Sequence, residues 1–168
     1  MENPSIRLLL TGGTIDSAET YDPAKKSVFS DSGTYLSRML KESRVTADVQ
    51  IEVLMLKDSN DLTEEDRFLI SDRCIAAAEQ HVVITHGTDT VRETAEFLGK
   101  RLKSKIIVLT GSMIPFSIAH SDALFNLGYA LASSQRLPNG VYVAMNGRIF
   151  EWNNVRKNKD IGVFEERQ

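Results

Sequence analysis

Leu8-Leu9-Leu10-Thr11-Gly12-Gly13-Thr14-Ile15 and Val82-Val83-Ile84-Thr85-His86-Gly87-Thr88-Asp89-Thr90 decide the fold. Each is an apolar run that breaks into a glycine-bearing turn with hydroxyls on it. Uninterrupted apolar runs suit strands buried on both faces of a parallel sheet. In open α/β sheets, binding and catalytic groups gather just beyond the carboxyl ends of such strands. Two ends of this kind, each presenting a threonine on a flexed turn, point to covalent chemistry on a small polar substrate.

Working outward, the same alternation runs along nearly the whole chain. Strands are expected at Ile6–Thr11, Val49–Leu56, Val82–His86, Ile106–Thr110 and Val141–Met145. Between them, Ile70, Cys74 and Ala77 recur at helical spacing, as do Val91, Ala95 and Leu98, and then Leu124, Leu127 and Leu131. The expectation is an α/β fold: a mainly parallel sheet, doubly wound, flanked by helices in three layers. Ser17–Asp31 lacks periodicity and reads as a long loop over a site. Beyond Met145 the alternation stops, Asn153–Asp160 is polar and charged, and no further helix is expected.

Composition narrows the classes. A length of 168 residues suits one domain with a sizeable core, so 1–168 is read as a single unit. A net charge of −3 argues against nucleic acid as a partner. No apolar stretch reaches the roughly 20 residues of a membrane helix, so no membrane partner is expected. The first residues do not form a secretion signal, and Cys74 is the one cysteine, which suits a reducing cytoplasm.

Individual residues carry competing readings. Gly12-Gly13 suits a tight turn, while the spacing of a dinucleotide fingerprint is absent. Thr90-x-x-Glu93 reads as a capping box, which leaves Thr88 and Asp89 beside the positive end of the following helix. His86 is read as structural: His81 and His86 face opposite sides of a strand, and with His120 they give no metal spacing. Thr63-x-x-Asp66 reads as a helix start after Asp58-Ser59-Asn60, whose hydroxyl and amide suit a carboxylate ligand. Ser121 and Asp122 read as helix caps. A threonine nucleophile needs an adjacent base, and a desolvated lysine qualifies, but composition and spacing do not choose among the lysines.

Taken together, these motifs resemble the bacterial-type L-asparaginases. The match rests on Thr11-Gly12-Gly13-Thr14-Ile15 and His86-Gly87-Thr88-Asp89-Thr90. It continues through Glu93-Thr94-Ala95, Leu109-Thr110-Gly111-Ser112-Met113-Ile114-Pro115, Asp122-Ala123-Leu124-Phe125-Asn126-Leu127 and Val143-Ala144-Met145-Asn146-Gly147. The resemblance implies a flavodoxin- or Rossmann-like domain that hydrolyses L-asparagine to L-aspartate and ammonia without metal or organic cofactor. Thr14 would be the primary nucleophile, assisted by Tyr21 on the loop that follows it. Thr88 would be a second catalytic hydroxyl, kept active by Lys157 and oriented by Asp89, which would also hold the substrate ammonium. Asp58, Ser59, Asn60, Gly13 and Gly87 would complete the binding site, with Ser59 on the α-carboxylate. L-glutamine is the neighbouring substrate, and a homo-oligomer, dimer or tetramer, is the expected assembly.

Two departures stand out. The family's second, smaller domain has no counterpart before Gln168, and Asp16 stands where relatives carry a small residue. Two readings of Asp16 are open: it replaces missing negative charge near the substrate ammonium, or it points to solvent. Two other functions compete with the hydrolase, namely an amino-acid-binding or regulatory protein and an ammonia-releasing amidotransferase subunit.

Overall fold

In the computed structural model, residues 4–17 and 34–167 are described. Tyr21 and nearly all of the expected Ser17–Asp31 loop lie outside the described residues. The elements are β1 (Ile6–Gly12), α1 (Leu36–Glu42), β2 (Val49–Lys57), α2 (Glu64–Ala76), β3 (His81–Thr85), α3 (Val91–Arg101), β4 (Ile106–Thr110), α4 (Ala123–Ser134) and β5 (Gly140–Met145). They are followed by three short strands: β6 (Arg148–Glu151), β7 (Arg156–Asn158) and β8 (Val163–Glu165).

The main sheet runs β2-β1-β3-β4-β5-β6, with β1 to β5 parallel and β6 antiparallel to β5. Pleat alternation explains the apolar runs. Ile6, Leu8 and Leu10 of β1 pack on one face with Leu36 and Met39 of α1 and Ala123, Leu127, Ala130 and Leu131 of α4. Leu9, Val82, Ile84, Ile107 and Leu109 pack on the other with Ile70 and Cys74 of α2 and Val91, Ala95 and Leu98 of α3. A strand that must satisfy two apolar layers cannot alternate with polar residues. The expected three-layer α/β architecture is what the chain forms.

The strand order places the reversal between β1 and β3, since the chain winds one way to β2 and the other way through β4 and β5. Open α/β sheets bind ligands at this point, beyond the carboxyl ends of the two strands. The turns carrying Thr14 and Thr88 leave β1 and β3 there.

Three expectations change in detail. Leu124, expected on the buried face of α4, is 37% exposed. The face instead runs through Ala123, Asn126, Leu127, Ala130 and Leu131, because α4 turns the amide of Asn126 inward. Ala77 caps α2 rather than belonging to it. The stretch after Met145 holds three short strands in place of an irregular end. Four- and three-residue strands with mixed burial are too short to display a period, and only Phe150, Val155 and Phe164 reach the core. Among the described residues, no helix is long and apolar enough to cross a membrane.

Candidate active site

Four loops meet at the carboxyl end of the sheet, and glycine lets their backbones touch. A Cβ on Gly13 would lie 2.3 Å from the Gly87 nitrogen, and one on Gly87 would lie 2.5 Å from Ser59 Oγ. The turns after β1 and β3 therefore stack backbone to backbone, the Ser59 side chain from the turn after β2 packs directly on Gly87, and Gly111 of the loop after β4 lies against the His86 carbonyl. The Gly13 amide donates to the Lys57 carbonyl at 3.0 Å, and Thr11 Oγ1 donates to the Thr85 carbonyl at 2.8 Å. Thr14 opens a 3-10 turn, Thr14–Asp16, and is half-buried. Thr88 is buried.

Lys157 arrives from the far end of the chain. Its Nζ donates to Thr88 Oγ1 at 2.8 Å and to Asp89 Oδ1 at 2.6 Å, across 69 and 68 residues. The β7–β8 hairpin delivers it. Lys157 pairs with Phe164, whose ring is in the core and whose amide donates to Asn146 Oδ1 at 2.9 Å. The Asn146 amide in turn donates to Asn126 Oδ1 at 3.2 Å, and Asn126 Nδ2 reaches the Gly111 carbonyl at 3.0 Å and Asp122 Oδ2 at 2.9 Å. Asn126 and Asn146 thus tie the hairpin to α4 and to the loop after β4. Sequence reasoning assigns neither a role, although a buried asparagine amid the apolar residues of α4 has to find partners. A depression of about 380 Å³ opens beside Lys157, lined by Arg156, Asn158, Lys159, Asp160 and Glu165 as well.

Asp89 is held between two loops. Besides Lys157, Asn60 Nδ2 donates to its Oδ2 at 3.2 Å, while the same amide reaches Asp58 Oδ1 at 3.0 Å. The Asp58 carboxylate also accepts from the Asn60 backbone at 2.9 Å and so shapes the 3-10 turn Ser59–Asp61. Partial burial pushes the Asp89 carboxyl up. The hydrogen bonds from Lys157 and Asn60 and the charges of Lys157 and Lys159 outweigh it and hold the pKa below the usual aspartate value. Asp89 is thus an anion at neutral pH, beside the N-terminal end of α3, where negative charge is favoured.

The expected capping box of α3 does not form. Thr90 occupies the N-cap position without a side-chain cap bond, and its hydroxyl donates to the Ser59 carbonyl at 2.6 Å. Cross-loop bonding wins over local capping because Ser59 is brought against Gly87. The Thr63 box on α2 does form. Ser121 accepts from the Ala123 amide at 3.0 Å, whereas the Asp122 carboxylate is spent on the Met113 and Ile114 amides at 3.0 Å each. Asp16 does not point to solvent: it is buried, and its carboxylate accepts from Thr34 and Tyr35.

His86 is structural. It is fully buried, with Nδ1 2.7 Å from the Gly87 carbonyl and Nε2 2.8 Å from Thr94 Oγ1. A carbonyl only accepts, so Nδ1 carries the proton and Nε2 accepts from the Thr94 hydroxyl, whose oxygen takes Arg67 Nε at 3.2 Å. Burial, aided by the nearby Arg67 charge and opposed by the Gly87 bond, lowers the His86 pKa to about 4. An unfolded histidine titrates near 6.5, so the unfolded chain takes up the proton first and stability is lost as pH falls from 6.5 toward 4. The loss is roughly 3 kcal/mol across that window. Asp16, pushed up to about 6 by burial, acts in the opposite sense, gaining stability as pH falls. The useful measurement is therefore the drop in urea midpoint from pH 7 to 4.5, compared between wild type and His86→Gln. The variant should drop less, and an equal drop would remove His86 as the cause.

Comparison with known proteins gives the family. A family model described as asparaginase, N-terminal, matches residues 5–163. The chain is 33% identical over 160 residues to an L-asparaginase of Thermococcus kodakarensis, covering 93% of this chain and 48% of that protein. It is 30% identical over 173 residues to L-asparaginase 2 of Escherichia coli, covering 96% and 49%. The structure of L-asparaginase I from Vibrio cholerae matches with a TM-score of 0.88 at 28% identity, over 99% of this chain and 52% of that one. A probable cytoplasmic L-asparaginase from Campylobacter jejuni gives 0.82 at 29%, over 97% and 53%. The chain belongs to the asparaginase family. It spans about half the length of the curated relatives it matches.

Proposed function

We propose that this chain hydrolyses the side-chain amide of L-asparagine, giving L-aspartate and ammonia by threonine nucleophile chemistry. The observation that carries the reading is the Thr88–Lys157–Asp89 set, assembled at 2.8 and 2.6 Å across 69 and 68 residues. A threonine hydroxyl is a poor nucleophile until a neighbouring group takes its proton. Lys157 Nζ lies where it can exchange a proton with Thr88, and its contact with Asp89 holds it there.

In this reading Thr14, half-buried at the switch point, attacks the amide carbonyl. The Thr14 hydroxyl proton is delivered to the amide nitrogen, and ammonia leaves on collapse of the tetrahedral adduct. Water activated through Thr88 and Lys157 then cleaves the resulting ester, releasing aspartate and returning a proton to Thr14. Asp89 accepts the substrate ammonium, while Ser59 meets its carboxylate in the loop that Asn60 and Asp58 shape. Backbone amides of the two glycine turns serve the oxyanion, each such donor contributing roughly 3 kcal/mol. Tyr21 assists Thr14.

A cytoplasmic location belongs to the reading, supported by the single cysteine, Cys74, buried with its thiol pushed up to about 12. A homo-oligomer is supported by the α4 surface, where Phe125 is 61% exposed and stacks on Tyr129 beside exposed Leu124.

The test is ammonia release from L-asparagine and L-glutamine by the purified chain. Turnover of L-asparagine supports the reading, and the glutamine rate sets its specificity. A chain that binds L-aspartate by calorimetry but turns over neither amide is an amino-acid-binding protein, and the hydrolase reading falls.

A further inference from the structure

Asp16 has no part in the chemistry above, yet it is buried two residues from Thr14. It is 1% exposed and follows Ile15, which shares an apolar cluster with Leu36 and Met39 of α1. Its Oδ1 accepts from the Tyr35 backbone amide at 2.6 Å and from Thr34 Oγ1 at 2.9 Å, across 19 and 18 residues. The Thr34 oxygen also accepts the Leu36 amide at 3.0 Å, so the tether continues into the first turn of α1.

The Thr14–Asp16 turn has little strength of its own. Its internal bonds are Asp16 N to the Gly13 carbonyl at 3.2 Å and Ser17 N to the Thr14 carbonyl at 3.1 Å, with Ser17 Oγ adding a bond to Gly13 at 3.3 Å. From the loop after β4, Phe116 N reaches the Ile15 carbonyl at 3.4 Å and Ser117 Oγ the Ser17 carbonyl at 3.2 Å. The two Asp16 bonds are shorter than all of these, and they hold the side of the turn that faces α1.

We propose that Asp16 is a positioning residue for Thr14: its carboxylate anchors the turn bearing that hydroxyl to the entrance of α1. A charged group taken out of water is costly, and burial pushes the Asp16 carboxyl up to about 6 although both hydrogen bonds act to lower it. An alanine would avoid that cost but would leave the Tyr35 amide and Thr34 hydroxyl without this acceptor. The two bonds are what the acid supplies. The kinetic consequence rests on the hydrolase reading, whereas the tether itself does not.

The test uses Asp16→Ala, Asp16→Asn and Thr34→Val in the full chain, with two readouts. For ammonia release from L-asparagine, Asp16→Ala should lower kcat roughly ten- to a hundredfold with KM within about twofold, because misplacing a reacting group costs turnover rather than binding. Asp16→Asn keeps an oxygen that accepts both bonds and should restore most of the rate. Thr34→Val removes one donor and should fall between them, which decides the matter if Asp16→Ala does not fold. The second readout, hydrogen exchange of the backbone amides of residues 16, 17 and 35, does not depend on turnover. They should exchange at least about tenfold faster in Asp16→Ala and not in Asp16→Asn, with the Val83 amide in β3 unchanged. Faster exchange with normal kcat would make Asp16 a structural residue only and overturn the proposal. Unchanged exchange would overturn it as well. If wild type proves inactive, the hydrolase reading fails, and local exchange alone decides whether Asp16 holds the turn.

Discussion

Lys157→Met is expected to lower kcat for L-asparagine about a thousandfold, the usual scale for losing a positioned acid–base group. Methionine keeps much of the length and the apolar stem of lysine, so the β7–β8 hairpin, anchored by Phe164, should stay in place. What goes is the 2.8 Å contact with Thr88 and the 2.6 Å contact with Asp89. Lys157 is 15% exposed and Asp89 42% exposed. The ion pair is therefore partly screened, and its loss should cost only about 1 kcal/mol of stability. The large effect belongs to chemistry. Lys157→Arg separates charge from proton transfer, since guanidinium keeps the charge but does not give up its proton in this range. It should rescue Asp89 without rescuing turnover. Thr88→Ala should cost about as much as Lys157→Met, and the double variant no more than either, because groups that act as one unit are not additive. Steady-state ammonia release gives all four values. Lys157→Met within tenfold of wild type, or additive losses in the double variant, would show that the observed cluster is not the proton-transfer unit.

Legibility in the sequence follows burial. β4 is readable from end to end as Ile106–Thr110, and β1 and β3 to within one residue at each end, because strands covered on both faces leave unbroken aliphatic runs. Short half-buried strands leave no such trace, so β6, β7 and β8 escape a reading by pattern. Helices α2, α3 and α4 are visible and the seven-residue α1 is not, being too short to display a period. On α4 apolar residues surround the axis and periodicity alone does not orient it. Its buried face follows from Asn126, a polar residue whose partners come from two distant loops. The site divides in the same way. Thr14, Thr88 and Asp89 are visible as candidates because glycine turns at strand ends announce themselves, and His86 is legible as structural because the three histidines offer no metal spacing. Lys157 is reached only by resemblance, since its place depends on a hairpin anchored by one phenylalanine. The local signature at Thr90 is real chemistry with a different outcome, for a hydroxyl that can cap its own helix can equally reach the Ser59 carbonyl. The burial of Asp16 is not legible along the chain, because its partners Thr34 and Tyr35 lie 18 and 19 residues away.

Gly13→Ala is expected to abolish activity, by at least about a hundredfold, while the sheet still folds. Gly13 sits at φ 84° and ψ 174°, a region essentially confined to glycine, and forcing alanine into it costs about 1–3 kcal/mol. Space is the harsher restriction. A Cβ there would lie 2.3 Å from the Gly87 nitrogen, 2.6 Å from Gly87 Cα and 2.7 Å from the His86 carbonyl carbon. All three are main-chain atoms, so no side chain can swing aside. His86 is itself pinned by Thr94 and the Gly87 carbonyl. Relief must come from separating the two turns, which moves Thr14 away from Thr88 and releases Ser59 from the back of Gly87. The expected cost in stability is about 2–4 kcal/mol, read by urea unfolding. Gly128→Ala is the matched control. Gly128 lies on the exposed side of α4, where an added methyl would meet nothing within 4 Å. Alanine there should stabilise the chain by up to about 1 kcal/mol with turnover unchanged. If Gly13→Ala kept wild-type kcat, close backbone stacking of the two threonine turns would not be what sets their distance. If it lost turnover while Gly128→Ala did not, the distance between the hydroxyls would trace to two residues that contribute no side chain at all.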